Sequence, residues 1–501
     1  MKTLLSNLLM SAIITFSGIS LAQESVDDWN KMIPVNVLKS DLGLLYSRLV
    51  RAHPDLYVHR PKAEYDKFYT QVLKSIDRPL SLFDTQILFQ KFAAFGDIAH
   101  SRIEFPEQVF RRFRAENGRI FPIYLRIVKG RTYVGENYSN DQNVKVGDEI
   151  LELNGIPLSD WLARVATNVS ADTAYIAHSL LEFTFPKYLW LELGGQGSFE
   201  LLLRTATDEP RSLNIFARTQ SEMQAAALKQ PKSFSLSSDK RASEMLSPKI
   251  AYLRPGPFYN IENPTSAWDN ASFIDFIDTA FMSFTKNGAE KLIIDLRTNP
   301  GGDNSFSDHM LAWFADQPFR FASEFLIKSS DEAAASNQQR LDSNPDATEG
   351  ISHLFAKKYA EVPRGELFSF EIPYVQPLNE PRFHGEVYVL INRHSYSNAV
   401  NVAAIVQDYN FGTIVGEKTS DMATTYGAME TFQLDATGIS VNFPKAHIIR
   451  PSGDKHSDGV APDEPLETPI ISNQEDVVLE ELLLRLKSEK YYQSNNIDSH
   501  P

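Results

Sequence analysis

The stretch from Val387 to Gln407, VYVLINRHSYSNAVNVAAIVQ, constrains this chain more than any other. Val387 to Ile391 is an apolar, β-branched run long enough for one buried strand. Asn392 to Tyr396 is a short polar turn, and beyond it Ala399, Val400, Val402, Ala403 and Val406 recur at helical spacing. A strand, a tight turn and a helix place Ser397 at or near a helix N-terminus. Free backbone N–H groups and the positive end of the helix dipole gather there, and both favour a developing negative charge. A serine in that position is either an ordinary N-cap or a nucleophile. The stretch alone leaves both open.

The chain has 501 residues, enough for two to four domains, and its 43% hydrophobic and 23% charged content is that of a soluble globular protein. A net charge of -15 argues against general binding to nucleic acid or anionic membranes, which need basic surface. The opening residues read as a secretory signal. Lys2 supplies the positive start, Leu8 to Ile19 the apolar segment, and Ser20-Leu21-Ala22 a small-x-small site that predicts cleavage after Ala22. No later segment is apolar and long enough for a membrane span. With no cysteine, thiol catalysis, disulfides and a lipoprotein anchor are excluded. The expected product is a soluble, exported protein, periplasmic or secreted, without stable membrane insertion.

Taken in order, residues 23–105 form an expected helical domain. Leu42, Leu45 and Leu49 share one face, Tyr65, Phe68, Val72 and Ile76 another, and Leu88, Phe92 and Phe95 a third, with Pro54, Pro61 and Pro79 between them. His53 and His59 fall between the first two helices and read as loop residues. The domain closes in Gly96-Asp97-Ile98-Ala99-His100-Ser101. Residues 106–204 look largely β, with a Gly-Asp turn at Gly147-Asp148, a short strand, and a tight Asn154-Gly155 turn. Residues 205–247 are polar and read as a linker.

The second half, 248–470, carries two strand–loop–helix units. The first is Lys291 to Arg297, then Thr298-Asn299-Pro300-Gly301-Gly302-Asp303-Asn304, then a helix; the second holds Ser397. In a parallel sheet such units place both loops at the carboxyl ends of the strands, where α/β folds build their sites. Paired glycines let backbone N–H groups approach a ligand closely. The absence of GxxxxGK[ST] argues against phosphate binding, and the absence of HExxH or a Cys/His cluster against metal. Residues 329–366 read as an insertion or lid, and 471–501 as a C-terminal helix and tail with a capping box at Ser472 and Glu475. The fold class expected is a multidomain α+β protein: helical domain, β-rich module and α/β core.

Two resemblances sharpen this reading. Val146 to Gly155, VGDEILELNG, resembles the carboxyl half of a PDZ domain, a module that binds chain ends by adding a strand to a sheet edge. The motifs LIIDLRTNPGG, VYVLINRHSYSNAV, IVGEKT and DGVAPD (Asp458 to Asp463), in that order, resemble the C-terminal processing peptidases and tricorn core proteases. The resemblance spans most of Asp41 to Leu466 and implies a serine peptidase with Ser397 as nucleophile. Tail-specific members of that family pair the serine with a lysine, but Met422 stands at the lysine position here. Tricorn-like members use a histidine from a turn similar to Gly96–Ser101, which implies His100 as base. The implied oxyanion donors are the N–H groups of Asn398 and of Gly301 or Gly302. Tricorn-like proteases also have a glutamate shortly before the last motif, where this chain has Lys455-His456-Ser457-Asp458. Asp458, Asp454, Asp97 and Glu417 are left as candidates to orient the histidine. The family's spacing favours Ser397 over Ser395.

A neutral imidazole can take the serine proton near pH 7, and oxyanion donors are worth roughly 3 kcal/mol each. The resulting expectation is an exported serine endopeptidase of the tricorn-like branch acting on peptides or polypeptides, with no cofactor and no metal. The alternative is a catalytically inactive peptide-binding protein of the same fold that uses the PDZ-like module. An esterase reading is weaker, because the chain has no GxSxG elbow.

Overall fold

The leucine spacing of the amino-terminal segment becomes a helix at Val35–Ala52, entered directly after Pro34. Two more follow at Lys62–Ser75, entered after Pro61, and Leu82–Ala94, where Ser81 caps the amide of Asp84. The computed structural model describes residues 29–205, 209–229, 234–343, 350–471 and 475–497. The signal segment and the Ser472 half of the capping box lie outside them.

The three helices do not form a core of their own. Leu38, Leu42, Leu45 and Leu49 pack with Tyr65, Phe89 and Phe92 against Val441, Phe443, Ala446 and Ile448. Those last four lie on the strand Ser440–Ile449 of a four-stranded antiparallel sheet more than three hundred residues downstream. Asp41 reinforces the joint by accepting the N–H of Thr437 at 2.8 Å.

The β-rich module is an antiparallel sheet in the order Ile123–Val128, Arg131–Asn137, Glu149–Leu153, Ser198–Arg204, Arg211–Phe216, with Ile156–Pro157 paired to the third. Two helices pack on it, Leu158–Ala166 and the twenty-residue Ala174–Leu193. The boundary expected at 204 is therefore too early, and 205–247 is not simply a linker. It contributes the last strand of this sheet, a helix at Gln220–Ala227 with a full capping box, and a strand, Ala242–Ser247, of the next sheet.

The α/β core has six strands, in the order Glu464–Pro465, Thr413–Gly416, Glu386–Ile391, Lys291–Asp295, Ile250–Arg254, Ala242–Ser247. All neighbours are parallel except the last pair. Side chains alternate between its faces. Leu292, Ile294, Val387, Val389 and Ile391 join the helices Ala271–Lys286, Asn304–Ala312 and Asn398–Asp408 on one side. Ile293, Tyr388 and Leu390 meet Val478, Leu482 and Leu486 of the C-terminal helix on the other. Both faces are covered, which explains the unbroken apolar runs. The region 329–366 holds two helices, Asp331–Ser343 and Ile351–Glu361. Arg340 and Lys445 share the buried Glu430 and fix the first of them to the antiparallel sheet. Among the described residues no helix is long and apolar enough to cross a membrane.

The shared core of helices and antiparallel sheet has a measurable consequence. Leu45 is fully buried there, so Leu45→Ala should cost about 2–5 kcal/mol in a denaturant titration of the whole chain. A cost below about 1 kcal/mol, the level of a surface change, would mean that this joint is not packed as described.

Candidate active site

The strands Lys291–Asp295 and Glu386–Ile391 pair in parallel with Asp295 opposite Leu390, so they leave the sheet side by side. Their loops are stitched together. The N–H of Thr298 donates to Asn392 Oδ1 (3.2 Å), Ser395 Oγ to the carbonyl of Leu296 (2.8 Å), and the N–H of Tyr396 to the carbonyl of Asn299 (2.9 Å). Asn299 organises the glycine loop, donating through Nδ2 to Gly256 O (2.7 Å) and accepting the Gly301 N–H on Oδ1 (2.8 Å). Below the loops, buried Arg297 is shared between Asp295 and Asp476, which precedes the C-terminal helix. Asp295 is held down at about 2 by Arg297 and Arg254 against the opposing effect of its burial.

Gly301 is the closest approach of the two loops. At φ +86° it sits so near the loop of Ser397 that a Cβ would lie 2.6 Å from Tyr396 O and 2.7 Å from Ser397 Cβ. Gly302, at φ +136°, lies against the backbone of Phe258. With the Gly301 N–H engaged by Asn299, the amides of Gly302 and Asn398, one from each loop, have no acceptor among the described residues.

Ser397 opens the helix Asn398–Asp408 at φ 51°, ψ -125°, and its side chain makes no capping hydrogen bond. A non-glycine residue in that region is strained, and such strain concentrates at functional sites. Its own N–H donates to Asp421 Oδ2 at 2.6 Å. Ser395, by contrast, is fully buried and bonded at both ends, to Leu296 O and from the N–H of Asn392. It is structural.

His100 arrives on the turn after the third helix, and that turn is held by the β-rich module. Asp172 Oδ2 accepts the N–H of Ala99 (2.9 Å), and Ser170 Oγ donates to Ser101 O (2.8 Å). The charges of Asp421, Arg102 and Asp172 and the backbone of Tyr426 act on the imidazole. Burial pushes its pKa below the ordinary 6.5, and Asp421 opposes that shift. Nδ1 is buried with no hydrogen-bond partner and is uncommitted. No hydrogen bond joins the imidazole to Ser397 Oγ among the described residues. Such contacts are often long in free enzymes and tighten with substrate.

The acids expected to orient His100 are elsewhere. Asp458 is exposed and paired with Lys418 at 2.6 Å. Glu417 is bound by Arg393 and receives the hydroxyls of Tyr175 and Thr468. Asp97 pairs with Arg60 and Asp454 accepts the N–H of His456. The carboxylates whose charge acts on the imidazole, Asp421 and Asp172, stand in polar stretches without periodicity, which carry no sign of that role. His59 Nε2 lies 3.4 Å from Asp172. His394 packs against Glu182 at 2.9 Å.

Helix Ala174–Leu193 touches the loop of Ser397 and the loop that carries Asp421. Ser179 Oγ lies 2.9 Å from Tyr396 Oη and 2.8 Å from Ser420 Oγ, next to Ser397 and Asp421 respectively. Glu182 is held at about 2 despite burial by His394, Arg126 and Arg393. It also accepts the N–H of Ile127 at 2.7 Å, while Arg393 donates to Ile127 O. Met422, at the position where tail-specific relatives carry lysine, is buried in the module's apolar cluster.

The tight fit at Gly301 predicts that Gly301→Ala perturbs the nucleophile loop directly. The substitution should cost about 1–3 kcal/mol, the range of strain at special backbone positions, and should abolish reaction of Ser397 with a fluorophosphonate. A variant that keeps wild-type stability and reactivity would contradict the close approach.

The fold has solved counterparts. Mature CPAF in complex with lactacystin superposes with a TM-score of 0.61 at 16% identity, covering 86% of this chain and 94% of that one. Mature CPAF alone gives 0.59 at 16% identity, with 86% and 93% covered. At that identity the likeness is one of fold. No curated protein sequence matches. The sequence profile of peptidase family S41 matches residues 250–466, the six-stranded core less its antiparallel edge strand, together with both loops of the site. Over this core the chain is similar to peptidase family S41.

Proposed function

We propose that the protein is an exported serine endopeptidase in which Ser397 is the nucleophile, His100 the general base, and the amides of Gly302 and Asn398 the oxyanion donors. What supports this reading is a strained serine with an unspent hydroxyl, whose amide is held by Asp421, the same carboxylate that acts on the His100 imidazole, together with two loop amides that have no acceptor among the described residues. In acylation the Ser397 oxygen attacks the scissile carbonyl carbon while its proton passes to His100. The carbonyl oxygen takes the negative charge against the two amides, where the helix N-terminus adds favourable potential. As the tetrahedral intermediate collapses, the C–N bond breaks and His100 returns the proton to the leaving amine. Water, deprotonated by His100, then releases the acyl group and regenerates the serine.

Gly301 serves this reading by its missing side chain rather than its amide, which Asn299 already holds. Export follows from the leader at Lys2 to Ala22 and places the mature protein in a periplasm or outside the cell. The inactive peptide-binding alternative depends on strand addition to the β-rich module. At Ile127 on the edge strand both backbone groups are already taken, by Glu182 and Arg393, which disfavours it.

The first test is covalent labelling of the mature protein by a fluorophosphonate, read by intact mass beside Ser397→Ala and His100→Ala. One adduct on the wild type, lost in both variants, is the expected result. No adduct on folded wild type would favour the peptide-binding reading, and labelling that survives Ser397→Ala would assign the nucleophile to another serine. The pH dependence is a second test. Because burial lowers the pKa of His100, the neutral base persists further into acid than a free imidazole. The inactivation rate should therefore fall with a midpoint below pH 6.5, the ordinary histidine value. A midpoint above it would count against His100 as the base.

A further inference from the structure

We propose that Asp421 is the acidic partner of the Ser397–His100 pair, a positioning residue that holds the nucleophile's amide and presents its carboxylate to the imidazole. The inference rests on the reading of Ser397 and His100 given above, and nothing in the sequence motifs assigns a role to this aspartate.

The argument starts from geometry. Asp421 is 6% exposed, and both its oxygens are used by the nucleophile side of the site. Oδ2 accepts the N–H of Ser397 at 2.6 Å and Oδ1 the N–H of Met422 at 2.8 Å. The segment carrying it is pinned from three directions. Thr419 Oγ1 donates to Asp421 O (2.8 Å) and accepts the N–H of Val460 (2.8 Å). Ser420 Oγ donates to Arg393 O (2.6 Å) and meets Ser179 Oγ. Met422 bridges to Gly459. A carboxylate held this firmly against the amide of a residue at φ 51° stabilises a backbone that would otherwise relax.

Competing acids are fewer than the sequence offers. The charged groups that act on His100 are Asp421 from the loop after Thr413–Gly416, Asp172 from the turn before Ala174–Leu193, and Arg102 from its own turn. Asp172 already serves the N–H of Ala99 and His59, so it fixes the turn. Burial raises the Asp421 carboxyl and His100 opposes that shift, as Asp421 opposes the effect of burial on His100; of the two acids only Asp421 also holds the amide of Ser397. When the imidazole takes the serine proton it becomes a cation in a largely buried site. A fixed negative charge beside it offsets the lost hydration. Asp421 thus sets the nucleophile's backbone and compensates the base's charge from one carboxylate.

The test compares Asp421→Asn, Asp421→Glu and wild type by the second-order rate of fluorophosphonate inactivation as a function of pH, with thermal unfolding recorded for each. Asparagine can still accept the Ser397 amide but carries no charge. A purely structural aspartate would leave its rate within about threefold of wild type and its pH profile unmoved, and that outcome overturns the proposal. The expected result is a loss of about 10²-fold or more, by analogy with neutralising the acid of a Ser-His-Asp triad. The acid midpoint should also move to lower pH, because burial and Arg102 still depress His100 while its opposing charge is gone. Asp421→Glu, which keeps the charge, should recover part of the rate and restore the midpoint towards wild type; failure to do either overturns the proposal if Asp421→Asn does not fold. Absence of labelling on wild type, or its survival in His100→Ala, marks failure of the underlying Ser–His reading instead.

Discussion

The parallel pairing of Lys291–Asp295 with Glu386–Ile391 is the constraint on which the rest of the structure depends. Its register ends both strands at the same level, with Asp295 opposite Leu390, so the glycine loop and the serine loop must occupy adjoining space. A slip of one residue would exchange the faces of Ile293 and Ile294 and of Val389 and Leu390. Both faces are buried, one under three helices and the other under the C-terminal helix, so neither strand can slip without exposing apolar surface on both sides. Register enforced by packing thereby fixes where the two loops meet. The fit of Gly301 against Ser397 is the point at which that meeting is visible.

Charge does the corresponding work between parts of the chain. Arg297 lies under the glycine loop, bridging the strand end at Asp295 to Asp476 of the C-terminal segment. Arg393 lies under the serine loop, bridging Glu182 of the module to Glu417 of the core. Buried pairs of this kind add little net stability over an apolar isostere, but removing one partner leaves an uncompensated charge and is strongly destabilising. They therefore penalise every arrangement except the one in which module and core meet at this angle. The turn of His100, gripped by Ser170 and Asp172, depends on that meeting. In the proposed reading, a base some three hundred residues before its nucleophile sits on a turn held by a third segment that lies between them in sequence.

What the sequence made legible is what has a short period or a compact motif. The leucine faces of the first helices, the two apolar strands, their turns and the placement of Ser397 at a helix start all correspond to the structure. The helix Ala174–Leu193 was hidden because it is apolar on nearly every side, aromatic-rich and interrupted by Pro186, which gives no amphipathic period to read. The strands Arg211–Phe216 and Ala242–Ser247 were hidden for the opposite reason. Each is a sheet edge with most of its side chains exposed or half-exposed, so polar composition resembled a linker. Asp421 and Asp172 carry no local signal at all. Their meaning comes from what folds against them, and single carboxylates in polar stretches are otherwise solvated.

Met422 shows how one substitution reshapes the choice of base. It stands where tail-specific relatives carry their lysine, yet its side chain lies in the apolar cluster of the β-rich module with Leu181 and Phe185. An ammonium at that point would be placed among aliphatic and aromatic carbon, a costly environment for a charge. The methionine is part of how the module seats on the core, and the loop around it has been committed to that packing. The residue beside it, Asp421, then turns its carboxylate to the Ser397 amide instead of leaving room for a lysine. In the proposed reading the proton acceptor then comes from outside the core, on the turn of His100 that the module holds through Asp172 and Ser170.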